Sequence, residues 1–301
     1  MTEIERIINN GLVTSDFLKE EVRCGYTVSV LNKELWAIEL DLLHEFDRVC
    51  KKYGLKYFFV YGSLLGAVRH QGFIPWDDDM DVALFRKDFN KLTEVAEKEF
   101  CHPYFFQNAH TDPGSCFSMA RLRNSETTAI IEAFRYEKFN QGIVFDIFPI
   151  DNVNLSVQDE RATRIKEYTM NGSAFMRRNN PNLTDHDKYI LKNFKGIDPI
   201  QNYDELQDLC SEFNDIETEY VGTRIVTTYP WQKMVFKKED FSSVKWAEFE
   251  NTKVPIPYGY DRILKTTYGD YMKFPPVSER GTWHTKTTFY DPEKSFKDYL
   301  Y

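Results

Sequence analysis

Four aspartates fall within five positions, at Asp77, Asp78, Asp79 and Asp81, and the pair Gly62-Ser63 stands a fixed distance ahead of them in YGSLLGAVRHQGFIPWDDDMDVAL, Tyr61 to Leu84. Like charges packed this closely repel unless water or a cation screens them. Hard ions such as Mg²⁺ and Mn²⁺ prefer carboxylate oxygens, and a phosphoryl-transfer site must hold the substrate's own anionic oxygens beside such a metal. The segment therefore reads as a grip on a phosphate next to a divalent cation. The bland alternatives are a solvated turn after Pro75-Trp76 for Asp77 and Asp78, and an ordinary tight turn at Gly62-Ser63.

The flanking periodicity says which elements hold these groups. From Asn32 to Tyr53 the apolar residues Leu35, Ile38, Leu42, Phe46, Val49 and Tyr53 recur at helical spacing, and Gly54 follows where a left-handed cap would stop a helix. Leu55 to Tyr61 is β-branched and aromatic, which predicts a strand ending in the Gly62-Ser63 turn. Ser63 to His70 has helical composition, so its backbone N–H groups would point toward an anion. In a strand from Asp79 to Leu84, alternation sends Asp79 and Asp81 to one face and Met80 and Val82 to the other.

These residues resemble the LicD family, within the nucleotidyltransferase fold that also includes fukutin and fukutin-related protein. The resemblance rests on Gly62-Ser63, on Asp79-Met80-Asp81 and on the phrase LLGAVRHQGFIPWDDDMD from Leu64 to Asp81. It extends through GIVFDIFPID, Gly142 to Asp151, and YGDYMKFPP, Tyr268 to Pro276, so that it spans roughly residues 30 to 276. It implies an α/β (α+β) fold with a mixed sheet and flanking helices. It also implies transfer of a phospho-alcohol, commonly phosphocholine, from a CDP-linked donor to a glycan hydroxyl, with release of CMP. In that chemistry Mg²⁺ or Mn²⁺ neutralises the diphosphate while a nearby group orients or deprotonates the acceptor. Asp79 and Asp81 would be ligands and Asp77 a supporting residue. CDP-linked glycerol or ribitol would suit the same site, and so would an enzyme of this fold that transfers NMP.

Asp146 is an ionisable group within the apolar strand-like run Ile143 to Phe148, costly to bury unless it meets a cation. It is the candidate third carboxylate, as metal ligand or as base for the acceptor; the competing readings are a helix cap and a buried partner of an arginine. For the donor's phosphates the candidates are Gly62 and Ser63, Arg69 beside His70, and Arg121 with Arg123, which alternate onto one face of the run Phe117 to Arg123. Weak ion pairs on a solvated face are the alternative for that last pair. Trp76 is a candidate to stack on the base or to wall a choline site, since aromatic faces attract quaternary ammonium groups. Tyr61, Tyr229, Trp231 and Trp283 are further aromatic candidates, and His284 and Lys286 are basic residues near the end of the sequence that could reach the site.

The balance of 38 basic and 47 acidic residues, a net charge of −9, argues against nonspecific nucleic-acid binding. Cys24, Cys50, Cys101, Cys116 and Cys210 are scattered and odd in number, without zinc or disulfide spacing, so reduced thiols in a cytoplasm are expected. The N-terminus carries acids among its apolar residues, unlike a signal peptide, and no apolar run is long enough to span a bilayer. Acceptors in the resembling family are often lipid-linked glycans or polysaccharide repeats. That implies peripheral contact at the inner membrane face, for which the basic and aromatic run Met170 to Arg178 is the candidate.

The expected organisation is an N-terminal extension over 1–30, a catalytic core over 31–155, a helical insertion over 156–220 suited to acceptor recognition, and a part from 221 to 301 that completes the domain. Within it, helical stripes are expected at Lys87 to Phe100 and Tyr258 to Tyr271, and strands at Cys116–Arg123, Thr127–Phe134 and Gly142–Ile150. The insertion should break at Asn179-Asn180-Pro181 and at Gly196-Ile197-Asp198-Pro199.

Overall fold

A computed structural model describes residues 1–193, 196–281 and 288–300. In chain order, α1 (Glu3–Asn9), β1 (Glu21–Arg23) and β2 (Tyr26–Val28) precede the long helix α2 (Val30–Tyr53). Next come β3 (Tyr57–Phe59), α3 (Tyr61–Arg69), β4 (Asp81–Phe85), α4 (Arg86–Glu99), β5 (Tyr104–Gln107), β6 (Ala120–Asn124), β7 (Thr128–Ile131) and β8 (Ile143–Val153). Helices α5 (Gln158–Phe175), α6 (Asp185–Asn193) and α7 (Pro199–Ser211) follow. The chain then forms β9 (Tyr220–Gly222), β10 (Val235–Lys237), β11 (Val244–Phe249), β12 (Thr252–Pro257), α8 (Tyr260–Tyr268) and β13 (Thr288–Asp291).

The class is mixed α/β, as expected. The main sheet runs β10-β9-β8-β4-β3, with β6 joined to β8 and β5 to β6. Its organiser is β8, which is long enough to pair parallel with β4 and antiparallel with β6 and β9 at successive positions. The parallel register sets Asp81 opposite Asp146, with Val82 opposite Ile147 and Leu84 opposite Pro149.

Helix α2 is held at both ends by local chemistry. The Ser29 side chain accepts the Asn32 N–H at its start, and Gly54 closes it at φ 65°, a left-handed value that glycine adopts without strain. The expected stripe is buried from Leu35 to Val49 and partly buried at Tyr53, and Phe46 stands edge-on to both Tyr57 and Phe145 with ring centroids 5.0 Å apart. These contacts seal α2 against the sheet that carries Asp81 and Asp146. Residues 1–30 also pack inward: Ile4 and Ile7 are buried, and Arg6 bonds Asp41 of α2 at 2.5 Å.

Three boundaries around the motif residues differ from expectation, each with a physical cause. Helix α3 starts at Tyr61 and so absorbs Gly62-Ser63 into its first turn, where no separate bend is needed. Strand β4 starts at Asp81, which leaves Asp79 in irregular chain, so strand alternation does not govern its direction. Strand β6 starts at Ala120 because Cys116 and Phe117 leave the sheet to pack with Phe139 and Met176. The segment 156–220 is helical, interrupted where the asparagine-proline and glycine-proline signals fall. Arg86 of α4 bonds Asp151 of β8 at 2.6 Å and Gln207 of α7 at 2.7 Å, tying this segment to the sheet. No helix among the described residues is long and apolar enough to cross a membrane.

Candidate active site

The ladder and α3 bring the motif residues to one place. Ser63 is buried in the first turn of α3, and its Oγ accepts the main-chain N–H of Asp81 at 2.7 Å. The Val60 N–H, just before the helix, donates to the Asp81 carbonyl at 3.2 Å. A Cβ on Gly62 would lie 2.9 Å from Asp77 Oδ2, so the absent side chain makes room for that carboxylate against the helix start. Tyr61 holds φ at +50°, a left-handed conformation that costs a non-glycine residue about 1–2 kcal/mol. Strain of this kind persists where the surroundings over-determine it, as at functional turns.

The aspartate loop is pinned from three sides. Trp36 Nε1 of α2 donates to the Asp77 carbonyl at 3.0 Å, the Asp77 N–H donates to the Ile74 carbonyl at 2.9 Å, and the Tyr290 hydroxyl of β13 donates to Asp78 Oδ2 at 3.0 Å. Beneath the loop lies a residue that sequence reading missed. Glu39 of α2 is fully buried, and among the described residues its Oε2 has no hydrogen-bond partner. Burial raises its pKa well above the ordinary carboxylate value, and Asp79, Asp78, Asp77 and Asp81 add to the rise. Its position on the buried face of α2 gave no signal beyond an acidic residue in an apolar stripe.

Asp146 meets an arginine. Arg121 Nε lies 2.7 Å from Asp146 Oδ1, and the Arg121 guanidinium stacks over Phe117 at 3.6 Å. Asp81 and Asp146 thus stand opposite each other at one end of the β4–β8 ladder, with Asp79 two residues ahead of Asp81 in the chain. As the side chains stand, no three His, Cys, Asp or Glu among the described residues form a group that could cage a metal. The donor set nevertheless suits a hard divalent ion: it is all carboxylate oxygen, crowded in one loop over a buried carboxylate with an orphaned oxygen.

One expected phosphate contact, Arg123, and one expected choline contact, Trp76, are corrected. Arg123 is buried, donating from Nε to Gln107 Oε1 at 2.5 Å and from Nη1 to the Gly142 carbonyl at 2.6 Å. Burial lowers its pKa to about 9, so it serves the β5–β6–β8 junction and is closed to a solvent-borne phosphate. Trp76 does not present a vacant face for choline, because the Arg280 and Arg69 guanidinium groups sit 4.6 and 6.0 Å from its ring. Arg69 itself donates to the Tyr271 carbonyl at 2.6 Å.

Other aromatic residues surround the acidic loop. Tyr229 and Tyr268 meet edge-to-face with centroids 6.4 Å apart, and Tyr61 bonds Thr223. Burial is the main cause of the raised pKa of all three hydroxyls. The nearby aspartates raise them further, Asp81 acting on Tyr61 and Asp77, Asp79 and Asp81 on the other two. Trp231 donates to Asp159 at 2.8 Å, while Trp283, His284 and Lys286 fall outside the described residues.

Residues 54–173 match the family model described as LicD/FKTN/FKRP, nucleotidyltransferase domain. The chain is 26% identical over 260 residues to the lipopolysaccharide cholinephosphotransferase LicD of Haemophilus influenzae, covering 85% of this chain and 97% of that protein. It is 35% identical over 92 residues to the human ribitol 5-phosphate transferase FKRP, covering 27% of this chain and 19% of that protein. It is also 41% identical over 55 residues to an uncharacterised protein of Rickettsia prowazekii, covering 18% of this chain and 21% of that one.

Proposed function

From the match of residues 54–173 to the LicD/FKTN/FKRP nucleotidyltransferase domain, we propose that the chain is a member of that family and that it transfers phosphocholine from CDP-choline to a hydroxyl of a glycan or lipid-linked glycan, releasing CMP. The observation that carries this reading is the register of Asp81 with Asp146 beside the first turn of α3, where Gly62 and Ser63 abut Asp77 and Asp81. A Mg²⁺ or Mn²⁺ ion held by Asp79 and Asp81, with Asp77 in support, would neutralise the diphosphate and stabilise the departing CMP oxygen.

The chain's own residues do the rest. Backbone N–H groups in the first turn of α3 face donor phosphate oxygens, where the helix end favours negative charge. Asp146, kept in one orientation by Arg121, accepts the hydrogen bond and then the proton of the attacking hydroxyl. Tyr61, Tyr229 and Tyr268, close to the aspartates, favour a cationic alcohol through their ring faces and the negative potential of the loop. The segment 156–220 is the proposed acceptor-recognition region, and the enzyme would work in the cytoplasm at the inner membrane face.

The second reading is transfer of ribitol phosphate or glycerol phosphate, favoured by the 92-residue likeness to the human ribitol 5-phosphate transferase. A donor screen by mass spectrometry decides between them. Purified protein with Mg²⁺ or Mn²⁺ is given CDP-choline, CDP-ribitol, CDP-glycerol and plain NTPs. Cleavage of CDP-choline ahead of the others supports phosphocholine; preference for a polyol donor moves the assignment; cleavage of NTPs alone rejects the CDP-alcohol reading.

A further inference from the structure

Among the described residues, no carboxylate forms an ion pair with Arg69 or Arg280. Arg69, the last residue of α3, donates through Nη1 to the carbonyls of Tyr271 at 2.6 Å and Lys273 at 3.4 Å, and through Nε to His70 Nε2 at 2.9 Å. Arg280 donates through Nε to the Pro275 carbonyl at 3.1 Å and through Nη1 to the Cys24 carbonyl at 3.1 Å. Among the described residues neither guanidinium forms an ion pair, and neither Nη2 makes a hydrogen bond. Arg23, which faces the same region, differs in bonding both Glu250 and Glu21.

The two cations also share a platform. Arg280 lies 4.6 Å from the Trp76 ring and 5.6 Å from Phe274, while Arg69 lies 5.1 Å from Phe274 and 6.0 Å from Trp76. His70 stacks on Phe274 at 5.5 Å and supports the same ring. Burial lowers the proton affinity of Arg69, and the charge of Arg280 lowers it further. Carbonyl clamps alone require N–H donors; they do not require two positive charges fixed side by side. A pair of half-buried guanidinium groups with spare donors is suited to an anion, and the planar fork matches phosphate oxygens. Trp76 leads directly into Asp77, so the pair adjoins the acidic loop.

We propose that Arg69 and Arg280, backed by Trp76 and Phe274, form an anion subsite that takes a phosphate group, either the diphosphate of the nucleotide donor or a phosphate carried by the acceptor. Identifying that anion as a substrate phosphate rests on the phosphotransfer reading; the anion site itself does not.

Isothermal titration with inorganic pyrophosphate and with CDP, in metal-free buffer, tests the subsite on the wild type and on Arg280→Gln, Arg280→Lys and Arg69→Gln. Pyrophosphate should bind the wild type in a salt-sensitive way, and Arg280→Gln should weaken it by about tenfold or more while the melting temperature holds. Arg280→Lys keeps the charge and should lose less, which decides the matter if the glutamine variant folds poorly. Parallel weakening of CDP assigns the donor diphosphate; weakened pyrophosphate with unchanged CDP assigns an acceptor phosphate. Absent pyrophosphate binding, or binding equal in all variants, overturns the subsite. If the wild type ignores CDP-choline, CDP-ribitol and CDP-glycerol alike yet binds pyrophosphate through Arg280, the phosphotransfer reading fails and the subsite stands. If it turns over CDP-choline and Arg280 is irrelevant to pyrophosphate, the reverse holds.

Discussion

Ser63 Oγ accepts the Asp81 N–H at 2.7 Å inside the protein, so one hydroxyl links the first turn of α3 to the first residue of β4. That bond sets where the Asp81 side chain leaves the sheet, opposite Asp146. Ser63→Ala would leave a buried N–H without a partner, at a cost of about 1–3 kcal/mol. The variant should melt at a lower temperature and lose CDP-choline turnover more steeply than its stability loss explains. An unchanged melting temperature would show that the bond contributes nothing.

Glu39 gives the acidic loop a stability signature. Its pKa is raised in the folded protein, first by burial and then by the four aspartates, so the folded state retains a proton that the unfolded chain releases near pH 4.5. The associated stability is therefore present below that pH and is lost as pH rises toward the folded value. Glu39→Gln, in metal-free buffer, should raise the melting temperature at pH 8 with a much smaller gain at pH 4. An equal or negative effect at pH 8 would mean that the carboxylate is not under repulsion from Asp77, Asp78, Asp79 and Asp81.

What could be read in advance follows the range of the interactions. The α2 stripe, the Gly54 cap and the apolar run of β8 were legible because each depends on neighbours a few residues apart. The meeting of Asp81 with Asp146 was expected from charge and family likeness, but its register comes from a parallel pairing across more than sixty residues that no local pattern encodes. Glu39 and Arg280 were missed for the same reason. One looks like a stray acid on a helix and the other like a charge near a polar end, until α2 and residues 271–280 are folded against the loop. Arg123 misled because alternation gives a side chain's face and not what covers it.

The imidazole of His70 lies against Arg69 and, farther off, Arg23, with Cys24 Sγ 3.7 Å from its Nδ1. Burial chiefly, then those two charges, push its pKa from 6.5 down to about 4. Between these values the unfolded chain binds a proton that the folded one refuses, so stability falls as pH drops from about 6.5 toward 4 and is complete above that window. His70→Gln should flatten the decline in melting temperature between pH 7 and pH 5. A slope equal to that of the wild type would place the acid sensitivity elsewhere.

The choice of alcohol is tested at Tyr229, the more open member of the tyrosine pair. A ring face is worth roughly 0.5–2 kcal/mol to a bound cation, which corresponds to a change of about 2- to 30-fold. Tyr229→Ala should raise KM for CDP-choline within that range and leave kcat nearly constant, whereas a polyol donor should be little affected. Equal effects on both donors would argue against recognition of a quaternary ammonium group by this ring.

The central claim is that the aspartate loop traps a divalent cation against a nucleotide diphosphate. Electron paramagnetic resonance of Mn²⁺, titrated into protein with and without CDP, measures this without requiring the acceptor. Mn²⁺ should bind the wild type more tightly when CDP is present, and Asp81→Asn should weaken that binding by at least about tenfold. Mn²⁺ binding that is indifferent to CDP and unchanged in Asp81→Asn would contradict the account.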